Sequence, residues 1–270
     1  MTDDTSRGAI RAAEANTHQA TIVDQFSRQA ELFAAAPALH NQAALDLLVE
    51  AAQPRAGDVA LDVACGPGTV VAAFAARVSR AVGLDATEAM LAQARKLAAR
   101  SALRNVEWRQ GDVYALPFAG GAFDIVSCRF ALHHFEAPAR AFAEMVRVCG
   151  SGGRIVLCDA IASDDPGKAD AFNRMERHRD PSTVEFRPLA FLTGLFAGAG
   201  LSMPQARFYQ VPAERDRLIE MSFPLDDDRA LLRDMIDRSV EGDAMGVNAR
   251  RDGDTVRFEY PAAILVAAKP

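Results

Sequence analysis

Apolar positions along this 270-residue chain fall into three regimes. In the first, Ile22, Val23, Phe26, Ala30 and Phe33 recur at helical spacing, and so do Leu39, Ala43, Leu47 and Leu48. This period predicts helices over residues 20–34 and 37–52, closed by Pro54 and Gly57. Residues 1–17 are polar and alanine-rich and are expected to form a mobile tail, with residues 18–53 as an N-terminal helical cap.

In the second regime, short apolar runs alternate with amphipathic segments. Strands are predicted at 58–64, 80–85, 105–110, 123–130 and 154–159. A helix is expected after Gly68, a second over 87–100 with Thr87 as N-cap, and a third over 137–148, stopped by Gly150. Such alternation implies right-handed crossovers and a parallel sheet with helices on both faces. Ligands then bind outside the carboxyl ends of the strands.

The third regime begins with a polar insert at 162–187 containing a helix over 168–178. An apolar helix over 188–199, a strand at 205–211, helical patterns at 213–221 and 226–240 and a last strand at 255–267 follow. The last strand can run antiparallel to the sixth. Residues 54–270 are thus expected to form one α/β domain: three layers, a seven-stranded mixed sheet with the last strand antiparallel, and cap inserts at about 162–187 and 212–254.

The chemistry gathers at the strand ends. The first strand runs into Ala64-Cys65-Gly66-Pro67-Gly68, a strand–glycine turn–helix unit. Glycines let a backbone turn sharply and let a ligand approach, and a helix start presents free N–H groups. Asp62, Asp85 and Asp112 stand at the ends of the first three strands. Each has a plain alternative as a turn or capping residue.

Composition narrows the reading. A net charge of -6 does not favour nonspecific phosphate-backbone binding. No apolar run is long enough to span a bilayer, and the N-terminus does not read as a secretory signal. Cys65, Cys128, Cys149 and Cys158 form no C-x-x-C pair and are expected as reduced packing residues of a cytoplasmic protein, without zinc.

Four ordered motifs carry a resemblance. They are LDVACGPGT at 61–69, AVGLDATEAMLAQAR at 81–95, GDVYALPFAGGAFDIV at 111–126 running into SCRFALHHF, and RVCGSGGRIVLCD at 147–159. In this order they resemble the class I S-adenosylmethionine-dependent methyltransferases, in the group similar to quinone-biosynthesis C-methyltransferases (type 11). The resemblance implies a Rossmann-like methyltransferase fold, S-adenosylmethionine as cofactor and no metal. It assigns Asp62, Ala64, Gly66 and Gly68 to the methionyl and ribose side, and Asp85 to the ribose hydroxyls. Asp112 and Val113 fall to the adenine edge and Ala86 and Met90 to its face, with Arg129 counted among the cofactor residues. A surface salt bridge is the plain alternative for Arg129.

A nicotinamide dinucleotide site is the rival within the fold, but Gly66-Pro67-Gly68 is followed by Thr69, Val70 and Val71, so the G-x-G-x-x-G pattern fails. No P-loop Lys-Ser/Thr follows the glycines either. His133 and His134, after strand four, are candidate proton acceptors, with capping or packing as the alternative. Phe26 and Phe33 are candidate acceptor contacts, or core. The expected activity is methyl transfer to a small, apolar or aromatic metabolite, with no nucleic acid as partner. A macromolecular acceptor, or a non-catalytic cofactor-binding protein, is the alternative.

Overall fold

The computed structural model describes residues 3–36 and 39–270, with side chains from His18 onward. The chain opens with α1 (Asp3–Ala34) and α2 (Gln42–Ala52). There follow β1 (Val59–Val63), α3 (Thr69–Ala75), β2 (Arg80–Asp85), α4 (Glu88–Arg100), β3 (Val106–Gln110), β4 (Phe123–Arg129), α5 (Pro138–Val148) and β5 (Cys149–Ala160). The last third contributes α6 (Pro166–Arg179), α7 (Leu189–Gly198), β6 (Gln205–Glu214), α8 (Arg215–Glu220), α9 (Arg229–Arg238), β7 (Arg250–Asp252) and β8 (Thr255–Ala268). The sheet order is β3-β2-β1-β4-β5-β8-β6, with β7 added to β8. Strands β1 to β5 run parallel, and β8 lies antiparallel between β5 and β6.

Burial on both faces explains why the parallel strands read as unbroken apolar runs rather than alternating ones. Leu61, Val63, Val126 and Leu157 pack against Phe142 and Met145 of α5 and Phe196 of α7. The opposite face sets Ala60, Ile125 and Val156 against Leu48 of α2 and Val70 and Phe74 of α3. A third cluster lies in the cap, where Phe172 and Met175 of α6 meet Leu232 and Ile236 of α9 and Val256 and Phe258 of β8.

The differences from the sequence reading have local causes. α2 starts at Gln42 because the Asn41 side chain accepts the Ala44 N–H at 3.2 Å; residues 37 and 38, where the period placed its start, lie outside the described residues. The expected tail at 1–17 lies outside the described side chains, and its backbone from Asp3 belongs to α1. β7 is an eighth strand, three residues joined to β8 by a tight turn and too short for a periodic signal. α6 starts at Pro166, before the expected 168, and α9 at Arg229, after the expected 226, because Asp165 and Asp228 cap them by accepting backbone N–H groups.

Candidate functional site

The carboxyl ends of β1, β2 and β4 open into one cavity of about 520 Å³. α1 supplies part of its wall through His18, Ile22, Phe26 and Phe33. From the strand ends and the turns after them come Asp62, Ala64, Gly66, Asp85, Ala86, Asp112, Val113, Arg129 and His134, and from the first turn of α4 comes Met90. The fold therefore gathers most of the residues singled out from sequence. Gly68 and His133 are not on the wall.

The turn after β1 is latched to β2. Gly66 has φ +51° and donates its N–H to Asp85 Oδ2 at 2.8 Å. Asp85 Oδ1 accepts the Thr87 N–H at 2.9 Å, which fixes the entry to α4. The Thr87 side chain also bonds this carboxylate, whose two oxygens offer about four acceptor positions in all. Asp85 is buried, and burial raises its pKa against the pull of these N–H donors. Ala64, at φ +55°, holds a left-handed conformation at the end of β1 that costs an L-residue about 1–2 kcal/mol. Asp112 is exposed at the rim, where Oδ1 accepts the Tyr114 N–H at 2.9 Å.

Gly68 serves packing instead of ligand approach. At φ +81°, a Cβ there would lie 2.6 Å from Trp108 Cη2 and 2.9 Å from Ala94 Cβ. Its small size lets α3 approach β3 and α4. A Cβ on Gly66 would meet only Phe33, at 3.9 Å.

Asp62 accepts the Ser127 hydroxyl at 2.7 Å and is almost fully buried. Burial pushes its pKa up to about 7, opposed by the Ser127 hydrogen bond and by Arg129 and reinforced by Asp85. Arg129 is buried, stacks its guanidinium on Phe130 at 4.7 Å, and is not the surface residue of the plain alternative. Because the folded Asp62 pKa lies above its ordinary 3.8, its contribution to stability is full at low pH and is lost as pH rises through about 7. A cationic ligand group against Asp62 reverses the preference, because it favours the carboxylate and expels the proton. Affinity for a cation-bearing ligand is thus expected to rise about tenfold per pH unit below about 7 and to level above it. Titration calorimetry from acid to neutral pH in Asp62→Asn and wild-type protein checks this; a parallel slope in the variant would remove Asp62 from the effect.

The two histidines separate. His133 Nδ1 lies 2.8 Å from Asp159 Oδ1, and its ring stacks on Phe186 with centroids 4.0 Å apart. Those partners tie the end of β5 and the insert to the turn after β4. His134 meets Phe26 edge-on at 5.0 Å and forms part of the cavity wall. Its carbonyl lies 2.9 Å from His18 Nε2, which fastens α1 to the same turn.

Sequence reasoning missed His18, Thr87, Tyr114 and Glu136, which also face the cavity. Thr87 and Tyr114 each stand two residues beyond a singled-out Asp, a nearness that points to them. His18 has no such signal. Among the described residues, four carboxylates, of Asp62, Asp85, Asp112 and Glu136, face the cavity against one guanidinium, that of Arg129. This balance suits a ligand with cationic groups. No group of His, Cys, Asp and Glu able to hold a metal occurs among the described residues.

Residues 61–157 match the family model described as a methyltransferase domain. The chain is 29% identical over 246 residues to the uncharacterized methyltransferase YcgJ of Bacillus subtilis, covering 90% of this chain and 97% of that protein. It is 35% identical over 138 residues to the ubiquinone/menaquinone biosynthesis C-methyltransferase UbiE of Roseobacter denitrificans, covering 50% of this chain and 54% of the relative, so it spans about half of UbiE. The crystal structure of Bacillus subtilis YcgJ superposes with a TM-score of 0.79 at 28% identity, over 85% of this chain and 99% of that one.

Proposed function

This chain carries a methyltransferase domain and is an S-adenosylmethionine-dependent methyltransferase, and we propose that its methyl acceptor is a small, largely apolar or aromatic metabolite held beneath α1. The observation that carries the proposal is the wall of the cavity. Phe26 and Phe33 of α1, with Phe135 and His134, line a space of about 520 Å³, within the range that encloses a small molecule. A macromolecular acceptor calls for an open, basic groove, whereas the charged side chains described on this largely apolar wall are mainly carboxylates. The relative UbiE is named for quinone biosynthesis, which also fits an apolar ring compound.

S-adenosylmethionine supplies an activated methyl group on a sulfonium. The chain's residues would bind and orient it. Asp85 would accept ribose hydroxyls; Asp62 and the Gly66 turn would hold the methionyl end, with Arg129 near its carboxylate. Met90 and Ala86 would pack the adenine face, and Asp112 and Val113 would bond its edge. Phe26 and Phe33 would exclude water above the acceptor, and orientation in such a site lowers the barrier by several kcal/mol, about 7–11 in favourable cases. α1, α2 and the inserts at 162–187 and 212–254 act together as a cap. The proposed compartment is the cytoplasm, which accords with four cysteines buried as free thiols. No described helix is long and apolar enough to cross a membrane.

The test uses S-adenosylmethionine with a labelled methyl group and an extract divided into metabolite, protein and nucleic-acid fractions. Label is expected in metabolites that partition into organic solvent. Label confined to RNA, DNA or protein would overturn the proposal.

A further inference from the structure

The insert at 162–187 does more than cover the sheet. Its loop after α6 is clamped to the turn after β4, since the N–H groups of Val184 and Glu185 donate to the His133 carbonyl at 2.9 and 3.0 Å. The same loop determines the state of the His134 ring. His134 Nδ1 lies 3.0 Å from the Ser182 carbonyl oxygen. A carbonyl can only accept, so the hydrogen is on Nδ1. The Ser182 hydroxyl donates to Asp180 Oδ1 at 2.5 Å, which leaves its own lone pairs toward the same Nδ1, 3.1 Å away. Asp180 also accepts the Ser182 N–H at 3.0 Å. All three residues are buried: 6% exposure for His134, 0% for Ser182 and 3% for Asp180.

With the hydrogen on Nδ1, Nε2 of the neutral ring carries a lone pair. Ser182 and Asp180 do not face the cavity, whereas His134 does. The Nδ1 edge therefore points into the protein, and the opposite edge, with Nε2, is the one the cavity reaches. Nε2 has no hydrogen bond to any described residue. Burial first, and then the neighbouring His133, hold the His134 pKa down at about 4, against the upward pull of Asp180, the Ser182 carbonyl and Asp159. The ring is accordingly an uncharged acceptor at neutral pH. An acceptor in a wall made with Phe26, Phe33 and Phe135 calls for a donor on the ligand, because a desolvated polar atom left without a partner is costly.

We propose that Asp180 and Ser182 are positioning residues that lock His134 in its Nδ1–H form, so that Nε2 accepts a hydrogen bond from a hydroxyl group on the methyl acceptor. The acceptor class narrows accordingly to compact hydroxylated aromatics of phenol type, with the ring against the phenylalanines and the hydroxyl on Nε2. This inference rests on the reading of the cavity as the acceptor site.

Phenol and toluene are suitable probes, since they share a ring and differ in a hydroxyl against a methyl. Their binding is measured on the full chain saturated with S-adenosylhomocysteine. His134→Phe is expected to weaken phenol relative to toluene by about threefold to tenfold, the loss of one hydrogen bond, with toluene nearly unchanged. Ser182→Ala keeps the backbone carbonyl that fixes the Nδ1 hydrogen and is expected to keep most of the ratio, whereas Asp180→Ala, which releases the Ser182 N–H and hydroxyl and with them the position of that carbonyl, is expected to lower it. Imidazole nitrogen NMR should show Nδ1 protonated and Nε2 bare on His134 in the wild type and in Ser182→Ala, and a mixture of tautomers in Asp180→Ala. His134→Phe retains an aromatic ring against Phe26, so it keeps the test open if the loop variants fold poorly. An unchanged phenol-to-toluene ratio in a folded His134→Phe protein, or a wild-type His134 protonated on Nε2, overturns the inference and leaves the methyltransferase reading standing. Bound S-adenosylhomocysteine with neither probe bound overturns the acceptor cavity together with this inference. Failure to bind S-adenosylhomocysteine overturns the cofactor site first.

Discussion

Gly68→Ala is expected to lower stability by about 2–5 kcal/mol, whereas Gly66→Ala loses about 1–2 kcal/mol of stability and at least tenfold in affinity for S-adenosylmethionine. Both glycines hold positive φ, +81° and +51°, so both variants carry the left-handed strain of an L-residue. They part in what the new methyl group meets. At position 68 it falls 2.6 Å from Trp108 and 2.9 Å from Ala94, contacts that force α3 away from the sheet. At position 66 the nearest atom is on the Phe33 ring at 3.9 Å, so the methyl group points toward the ligand space. Urea unfolding and calorimetry with S-adenosylhomocysteine measure the two effects separately. Normal cofactor affinity in Gly66→Ala would show that the turn does not line the cofactor site. Wild-type stability in Gly68→Ala would mean that Trp108 yields freely.

The same pair shows how far the residues alone reach. A strand, a glycine turn and a helix are legible at 59–75 because the apolar run, the two glycines and the helical period are all local signals. That one glycine lines the cavity and the other packs on a tryptophan is not legible, because Trp108 lies 40 residues beyond Gly68 and reaches it only when β3 is placed beside β2. Asp62 and Asp85 could be marked as strand-end carboxylates, and the cavity contains both. The latch from Gly66 N–H to Asp85 could not, since it depends on the parallel register of β1 with β2. The adjacent histidines look equivalent in the sequence. Their separation comes from Asp159 at the end of β5 and from Ser182 in the insert, two distant segments whose own patterns announce only a strand end and a polar loop. The first half of β8, which extends beyond β5 and carries Val256 and Phe258 into the cap, escapes for a like reason: its apolar pattern does not say which neighbour it meets.

Asp85→Ala is expected to weaken S-adenosylmethionine binding by about tenfold to 150-fold. Hydrogen bonds to a carboxylate are charge-assisted and contribute about 1.5–3 kcal/mol, and each 1.4 kcal/mol is about tenfold in a dissociation constant. The direct loss is the acceptor for the ribose hydroxyls. An indirect loss adds to it, because the Gly66 and Thr87 N–H groups lose the oxygens they reach at 2.8 and 2.9 Å. The turn after β1 and the start of α4 are then no longer joined through one side chain. Asp85→Asn separates the contributions. Its amide oxygen can still accept one of those N–H groups, but its NH₂ cannot accept from the other, nor from a ribose hydroxyl. Asn is therefore expected to recover part of the stability lost by Ala and little of the affinity. The measurement is calorimetric titration of each variant beside thermal unfolding of the ligand-free protein. A folded Asp85→Ala protein that binds S-adenosylmethionine as tightly as the wild type would remove Asp85 from the ribose and leave it as the latch of the turn alone.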